Sequence, residues 1–296
     1  MPPPHAALAL ESAVWLVAGH RNPYGYDQEL LDYHQDLIAP HGLPLREDLV
    51  RAGTGVSFTD LAHRLVGAAR RSGLPPWPQG PDLLVLAYAL PDYHPLTTVS
   101  ADVNRLLGGG ARSFAVSEQG LRAPYTALRL ARAYARSGRC ARLALLVLEQ
   151  TTLPYAEPLL AQGRLTDSGA LLFFGPDGGY EPAPPPAAVP GGRLAGALAA
   201  AADGVPEQDV LVVAGPGADT AELAAAGLPC HRAGPGSYCT GVWLDVARHH
   251  RDWAARHRAL VLCDTDPRTG RSSVLALHHR GAAPDTARPP ARSAHR

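Results

Sequence analysis

Few side chains in this sequence could start covalent chemistry. The four cysteines, Cys140, Cys230, Cys239 and Cys263, lack the paired short spacings of a zinc site or a redox motif. Cys140 and Cys263 border apolar runs and read as inert core thiols. Cys239 sits in the loop Gly236-Ser-Tyr-Cys-Thr-Gly241, downstream of His231, and a loop thiol near an imidazole could act as a nucleophile with its base. Ser117, which opens Ser117-Glu-Gln-Gly-Leu121, is the other candidate nucleophile of a stand-alone acyltransferase or hydrolase. No lysine occurs anywhere, which excludes Schiff-base chemistry and the phosphate-binding lysine of a P-loop. Ala214-Gly-Pro-Gly-Ala-Asp219 lacks the third glycine of a dinucleotide fingerprint, and no acid-terminated strand follows at the required distance. The pairs His249-His250 and His278-His279 read as solvated imidazoles, because adjacent residues on a helix point to different faces. No metal site is expected.

Composition narrows the class further. The 27 basic and 27 acidic residues cancel, which removes the electrostatic argument for a nucleic-acid or polybasic membrane-surface protein. At 296 residues the chain can hold two domains or one large two-part fold. Aromatics are only 6%, so the core must be mostly Ala, Leu and Val. Met-Pro-Pro-Pro-His at the start does not read as a signal peptide, and no apolar run is long enough to span a membrane. A reduced, cytoplasmic protein is the expectation.

These candidates need elements to position them. Glu181-Pro-Ala-Pro-Pro-Pro-Ala-Ala-Val-Pro-Gly-Gly192 disfavours helix and sheet, because each proline removes a donor and restricts its predecessor. It divides the chain into an N-terminal half at 1–176, a linker at 177–192 and a C-terminal half at 193–279, with a disordered tail at 280–296. In the first half, strands are predicted at Val14 to Val17, Asp82 to Leu90, Ser113 to Val116, Ala141 to Leu148 and Ala170 to Phe174. Helices are predicted at Phe58 to Arg71, with Thr59 as a candidate cap, at Thr98 to Leu107 and at Leu121 to Ser137. The second half reads helix Arg193 to Ala202, strand Asp209 to Val213, helices Ala218 to Ala226 and Thr240 to Arg256, and strands Leu260 to Cys263 and Ser272 to Leu277. Strand and helix alternate in both halves, which predicts an α/β fold of two related halves, each with its own sheet.

Taken in order, Asp82-Leu-Leu-Val-Leu-Ala-Tyr-Ala-Leu-Pro-Asp-Tyr93, Ser113-Phe-Ala-Val-Ser-Glu-Gln-Gly120, Arg142 to Glu149, Asp167-Ser-Gly-Ala170 and Gly236-Ser-Tyr-Cys-Thr-Gly241 resemble the motifs of β-ketoacyl synthase III enzymes of the thiolase superfamily. The resemblance covers most of residues 10 to 279 and implies a thiolase-like fold with a five-layered αβαβα arrangement. It implies a cysteine at the head of a buried helix, where this chain offers Gln119, Gly120 or Leu121. It implies a histidine after a second-half strand, where Gly215 stands, and an asparagine near Tyr238 and Cys239, in a half without any asparagine. The Glu118-Gln119 pair resembles chain-length factors, and the spacing of Cys239 and Gly241 resembles the cysteine-deficient subunit of heterodimeric quinolone-forming synthases. The implied function is a non-condensing subunit paired with an active ketosynthase in polyketide, fatty-acyl or quinolone-like biosynthesis. On that reading Ser117 and Glu118 face the pocket or the partner, and Leu143, Leu145 and Val147 lie on the strand that meets the partner; the alternative for Glu118 and Gln119 is that they simply cap the helix after Ser117. No cofactor is implied; acyl-CoA or the phosphopantetheine of an acyl carrier protein is the implied ligand. Such a phosphate could meet one of Arg122, Arg129, Arg132, Arg136, Arg139 and Arg142, although a solvated helix face explains most of these.

Overall fold

The computed structural model describes residues 8–19, 27–75, 77–161, 165–184 and 189–280. The N-terminal Pro run, most of the Pro-rich centre of the linker and almost all of the tail lie outside them. The first half contains β1 (Ala9–Val17), α1 (Gln28–Ile38), α2 (Glu47–Ala52), α3 (Phe58–Arg71), β2 (Leu83–Ala87), α4 (Val99–Leu106), β3 (Arg112–Val116), α5 (Ala123–Arg136), β4 (Leu143–Glu149), α6 (Pro158–Ala161) and β5 (Ser168–Gly175). The second contains β6 (Tyr180–Pro182), α7 (Leu194–Ala201), β7 (Val210–Ala214), α8 (Thr220–Ala226), β8 (Cys230–Arg232), α9 (Gly241–Ala254), β9 (Ala259–Thr265) and β10 (Ser272–His279).

The strands run β3-β2-β4-β5-β1 and then β6-β10-β9-β7-β8, so each half has the same strand order, with the two edges β1 and β6 joined where Leu10 pairs with Tyr180. In each half three parallel strands are followed by antiparallel neighbours. The halves therefore do not keep separate sheets as expected; the segment read as linker supplies the strand β6 at the seam, and Val189 bridges to Ser272. Proline tolerates this position because β6 is only three residues long and contributes few ladder donors.

Three apolar clusters define the five layers. One cluster holds α5 and α9 between the inner faces of both half-sheets, through Leu83, Val85, Leu145, Leu211, Leu260 and Leu277. A second packs α3 and α4 on the outer face of the first half, and a third packs α7 and α8 on the outer face of the second. β4 and β5 are buried along their whole length, as strands covered by helices on both sides must be. Full burial of each such Leu or Val side chain stabilises the fold by about 1.5–3 kcal/mol.

Local signals set the helix starts. α3 buries Phe58, Leu61, Ala62, Leu65, Val66 and Ala69 at helical spacing, and its N-cap is Ser57 in a capping box with Asp60, two residues before the expected Thr59. α5 and α9 open with small residues, Ala123 and Gly241, which allows close approach to the sheets. Of the arginines on α5, Arg129 and Arg136 are exposed and Arg132 is half-buried.

The expected interface strand requires correction. β4 carries Leu143, Leu145 and Val147, but it is hydrogen-bonded to β2 on one side and β5 on the other, so neither edge is free for another chain. The free edge of the first half is β3. No described helix is long and apolar enough to cross a membrane.

Candidate functional site

The C-terminal ends of β3, β4, β7 and β9 and the loop before α9 converge at the heads of α5 and α9, the place where an α/β sheet usually presents its ligand-binding groups. After β3, Glu118 and Gly120 both adopt left-handed backbone, with φ of 60° and 54°. They turn the chain sharply into a short 3-10 turn, Gly120–Arg122, that leads into α5. A side chain at Gly120 has no room. Its Cβ would lie 2.6 Å from both the Asp266 carboxylate and the Tyr238 hydroxyl. At the end of β7 the same occurs at Gly215, whose Cβ would overlap the carboxylate of Asp264.

Asp264 and Asp266 arrive from the end of β9 and the turn after it. Asp264 accepts from the Gly217 amide at 3.0 Å and the Thr265 amide at 2.8 Å, and burial pushes its pKa up to about 7 against those two bonds. Asp266 is buried and accepts from the Arg268 amide at 2.9 Å. The Arg268 guanidinium pairs with Glu157 at 2.6 Å and lies 5.9 Å from the centre of the Tyr238 ring, so it covers the Tyr238–Asp266 contact from outside. Burial, and then the negative charge of Asp266, raise the Tyr238 phenol above its ordinary range, so its hydroxyl stays protonated.

Glu149, the last residue of β4, is the anchor of the loop before α9. It accepts from the Tyr238 amide at 2.9 and 3.0 Å and from the Cys239 amide. Burial pushes its pKa up to about 7, opposed by the amides of Tyr238, Cys239 and Thr240 and reinforced by Asp167. Asp167 in turn accepts from the amide and hydroxyl of Thr151, which ties the turn before β5 to the same end of the sheet. Between the two half-sheets, Tyr125 on α5 meets Trp243 on α9 edge-on, with ring centroids 5.3 Å apart.

The structure thus brings together Gly120 and Tyr238 from the sequence-derived set and places Cys239 directly behind Tyr238. The Cys239 thiol is buried, and burial together with the Glu149 charge raises its pKa well above the ordinary thiol range. His231 does not join it: the imidazole pairs with Asp245 at 2.8 Å and packs on Trp253. Among the described residues, Ser117 has no imidazole or carboxylate hydrogen-bonded to it, Leu121 is buried in the core, and Gln119 turns back to accept from the Thr126 hydroxyl at 2.6 Å. Neither Glu118 nor Gln119 caps α5 with its side chain, which corrects the capping alternative. His250 is also not solvated as expected; it is buried and bonded to the Val246 carbonyl at 3.1 Å. The thiols of Cys140 and Cys263 are buried and their pKa values raised, to about 12 for Cys140, by desolvation, as core thiols should be.

Asp264, Asp266, Glu149, Glu157 and Arg268 were not among the residues that the sequence singled out. A signal existed: Leu143 to Glu149 and Ala259 to Asp266 are apolar runs that end in carboxylates, and a strand's C-terminal end is where such groups face a site. Chemically, the assembled cluster can donate and accept hydrogen bonds and exchange protons near neutrality. Among the described residues no group of His, Cys, Asp and Glu is arranged to hold a metal ion.

No known protein family's profile matches this sequence, and no curated protein does. Solved structures do. The 3-oxoacyl-(acyl carrier protein) synthase III of Pseudomonas aeruginosa, FabH, matches with a TM-score of 0.58 at 16% identity, over 94% of this chain and all of its own. A Xanthomonas campestris OleA structure with bound lauric acid and lauroyl-CoA matches with a TM-score of 0.58 at 13% identity, covering 92% of this chain and 99% of its own. The synthase III of Aquifex aeolicus matches with a TM-score of 0.57 at 12% identity, over 91% and 99%. These likenesses establish the architecture: the chain has the thiolase-like α/β fold of the FabH and OleA structures.

Proposed function

We propose that this chain is a non-condensing, ketosynthase III-like subunit that pairs with an active ketosynthase and helps shape its acyl pocket, in the biosynthesis of a polyketide, fatty-acyl or quinolone-like metabolite. Condensation needs a thiolate at the head of a buried helix and neutral donors that stabilise an enolate. One observation carries the reading: at the head of α5 the residue without room for a side chain is Gly120, and the space beyond it is filled by Tyr238 and Asp266. The same substitution of a neighbour's carboxylate for a side chain recurs at Gly215. Cys239 does not compensate, because its thiol is sealed behind Tyr238 and kept protonated.

The free edge β3 runs directly into Ser117, Glu118 and Gln119, so a partner strand added there would bring the exposed Glu118 turn to the partner's side of the interface. The OleA neighbour with bound lauroyl-CoA supports acyl thioesters, on CoA or on a carrier phosphopantetheine, as the ligand class of the pair.

The test has two arms. Intact-mass measurement after incubating the isolated chain with acetyl-, malonyl- and lauroyl-CoA is expected to show no covalent adduct, and co-expression with an active ketosynthase encoded beside it is expected to yield a mixed pair. An acyl adduct on the isolated chain, followed by release of a condensed product, overturns the reading.

A further inference from the structure

A cavity of about 280 Å³ lies under α1, on the outer face of the first half-sheet, and shares no lining residue with the Gly120 cluster. Leu37, Phe58, Leu86 and Val99 supply apolar wall, and two buried acceptors sit among them, Asp92 and His34. Asp92 Oδ1 accepts from the Phe58 amide at 3.1 Å, at the head of α3, while Oδ2 is buried without a hydrogen-bond partner among the described residues. His34 Nε2 lies 2.7 Å from the Tyr93 carbonyl, which can only accept, so Nε2 carries the ring proton. Nδ1 of that neutral ring is then a bare acceptor, and it too is buried without a partner among the described residues. Stacking of His34 on Tyr93, with centroids 5.2 Å apart, holds the ring in this orientation.

The electrostatics of the cavity are one-sided. Burial lowers the His34 pKa, so the ring stays neutral at physiological pH. Burial raises Asp92 to about 6, opposed by the Phe58 and His94 amides, the His94 charge and the Tyr93 amide, which leaves it largely ionised at pH 7.5. Among the described residues no arginine lines the cavity, and the chain has no lysine; the imidazole of His94, which is not part of the wall, is the side chain whose charge acts on Asp92. Leaving a buried acceptor without a hydrogen bond is costly, and more so for a carboxylate. A ligand that donates hydrogen bonds and carries positive charge removes that cost, whereas an acceptor-only anion adds to it.

We propose that this cavity binds a small amphiphile with a protonated amine head, which donates to Asp92 while His34 offers the second acceptor and the apolar tail lies along Leu37, Phe58, Leu86 and Val99. The cavity is near the lower end of small-ligand pockets, about 300 Å³, which suits a short alkyl amine. None of its residues belongs to the Gly120 cluster or to the acyl chemistry proposed for it; the one element it shares with the partner-subunit reading is β3, through Ala115.

Calorimetric titration of the whole chain at pH 7.5 with hexylamine, 1-hexanol and hexanoate tests the proposal. Hexylamine is expected to bind saturably, 1-hexanol at least about tenfold more weakly, and hexanoate not at all. Asp92→Asn keeps the Oδ1 acceptor for α3 and is expected to weaken hexylamine by about tenfold or more while leaving 1-hexanol within about threefold. Thr97→Trp, at an exposed position on the rim, is expected to exclude both ligands without lowering the melting temperature, so that the test survives if Asp92→Asn fails to fold. The proposal is overturned if hexylamine shows no saturable binding up to about 10 mM, if hexanol or hexanoate binds as tightly, or if Thr97→Trp binds hexylamine unchanged.

Discussion

At the scale of single residues, two glycines decide what the site can do. Gly120 combines a left-handed backbone, φ 54°, with a Cβ position 2.6 Å from two polar atoms of other segments. Placing a nucleophile there is therefore not a matter of one substitution. Gly120→Cys is expected to destabilise the fold by about 1–3 kcal/mol from backbone strain alone, and by more once Asp266 and Tyr238 must move. The checks are a urea melt and an acyl-loading assay; no adduct is expected on the variant. A Gly120→Cys protein that melts like the parent and takes up an acyl group would show that the site is open after all. Gly215→Ala makes the complementary case on the other half, where the new methyl would meet the Asp264 carboxylate. It is expected to lower the melting midpoint, while the same change at Gly196, whose Cβ would meet nothing within 4 Å, leaves it level or raises it.

At the scale of elements, β4 and β3 divide the work. β4 is an interior strand whose last residue, Glu149, holds the amides ahead of α9; Glu149→Ala strands those buried donors and is expected to cost about 2–4 kcal/mol in chemical denaturation, more than a typical exposed substitution. A loss below about 0.5 kcal/mol would mean that the loop before α9 does not depend on this anchor. β3 is the edge. Its ladder to β2 uses the Arg112 amide and the Val116 carbonyl, so in a parallel strand the amides of Ser113 and Ala115 point away from the sheet. Ser113→Pro removes one outward donor and no inward one. If a partner adds its strand here, this variant should keep its circular-dichroism melt and lose association with the active ketosynthase by about tenfold or more, as measured by co-purification and sedimentation. Undiminished association would place the interface elsewhere.

Across the whole molecule, desolvation has left buried carboxylates with raised pKa values: Glu149 and Asp264 near 7 and Asp92 near 6. Each binds its proton more tightly in the folded chain than in the unfolded one, where carboxylates titrate near 4. Between about pH 4 and 7 the folded state therefore holds more protons, and stability falls as pH rises through that window. The melting temperature is expected to be higher at pH 5.5 than at pH 8, and Asp264→Asn, which keeps an acceptor but cannot ionise, should flatten part of that slope. A melting temperature that rises steadily from pH 5.5 to 8 would contradict these assignments.

What the sequence alone determined is the alternation of strands and helices, and with it the fold class. Apolar periodicity set α3 at Phe58–Arg71 and drew the buried strands β4, β5, β7 and β9 to within a few residues, because burial on both faces leaves an unbroken hydrophobic signature. The resemblance of residues 113–120 and 236–241 to synthase III motifs also pointed to the turn at Gly120 and the loop at Tyr238. Periodicity missed β6, which is only three residues long, and α1, whose stripe of Leu30, Leu31, His34 and Ile38 stands at helical spacing but is short, and with α1 the outer cavity; the strand that the resemblance offered to the partner, β4, is interior, whereas β3 is the edge. Only the tertiary structure decided which side chains fill the glycine sites: Asp266 and Tyr238 stand beside Gly120 and Asp264 beside Gly215, brought there from 118 to 146 and 49 positions away through packing of the two halves around α5 and α9. Local sequence records how a segment bends and which face it buries, whereas occupancy of the space beside a glycine depends on what a distant strand end delivers there.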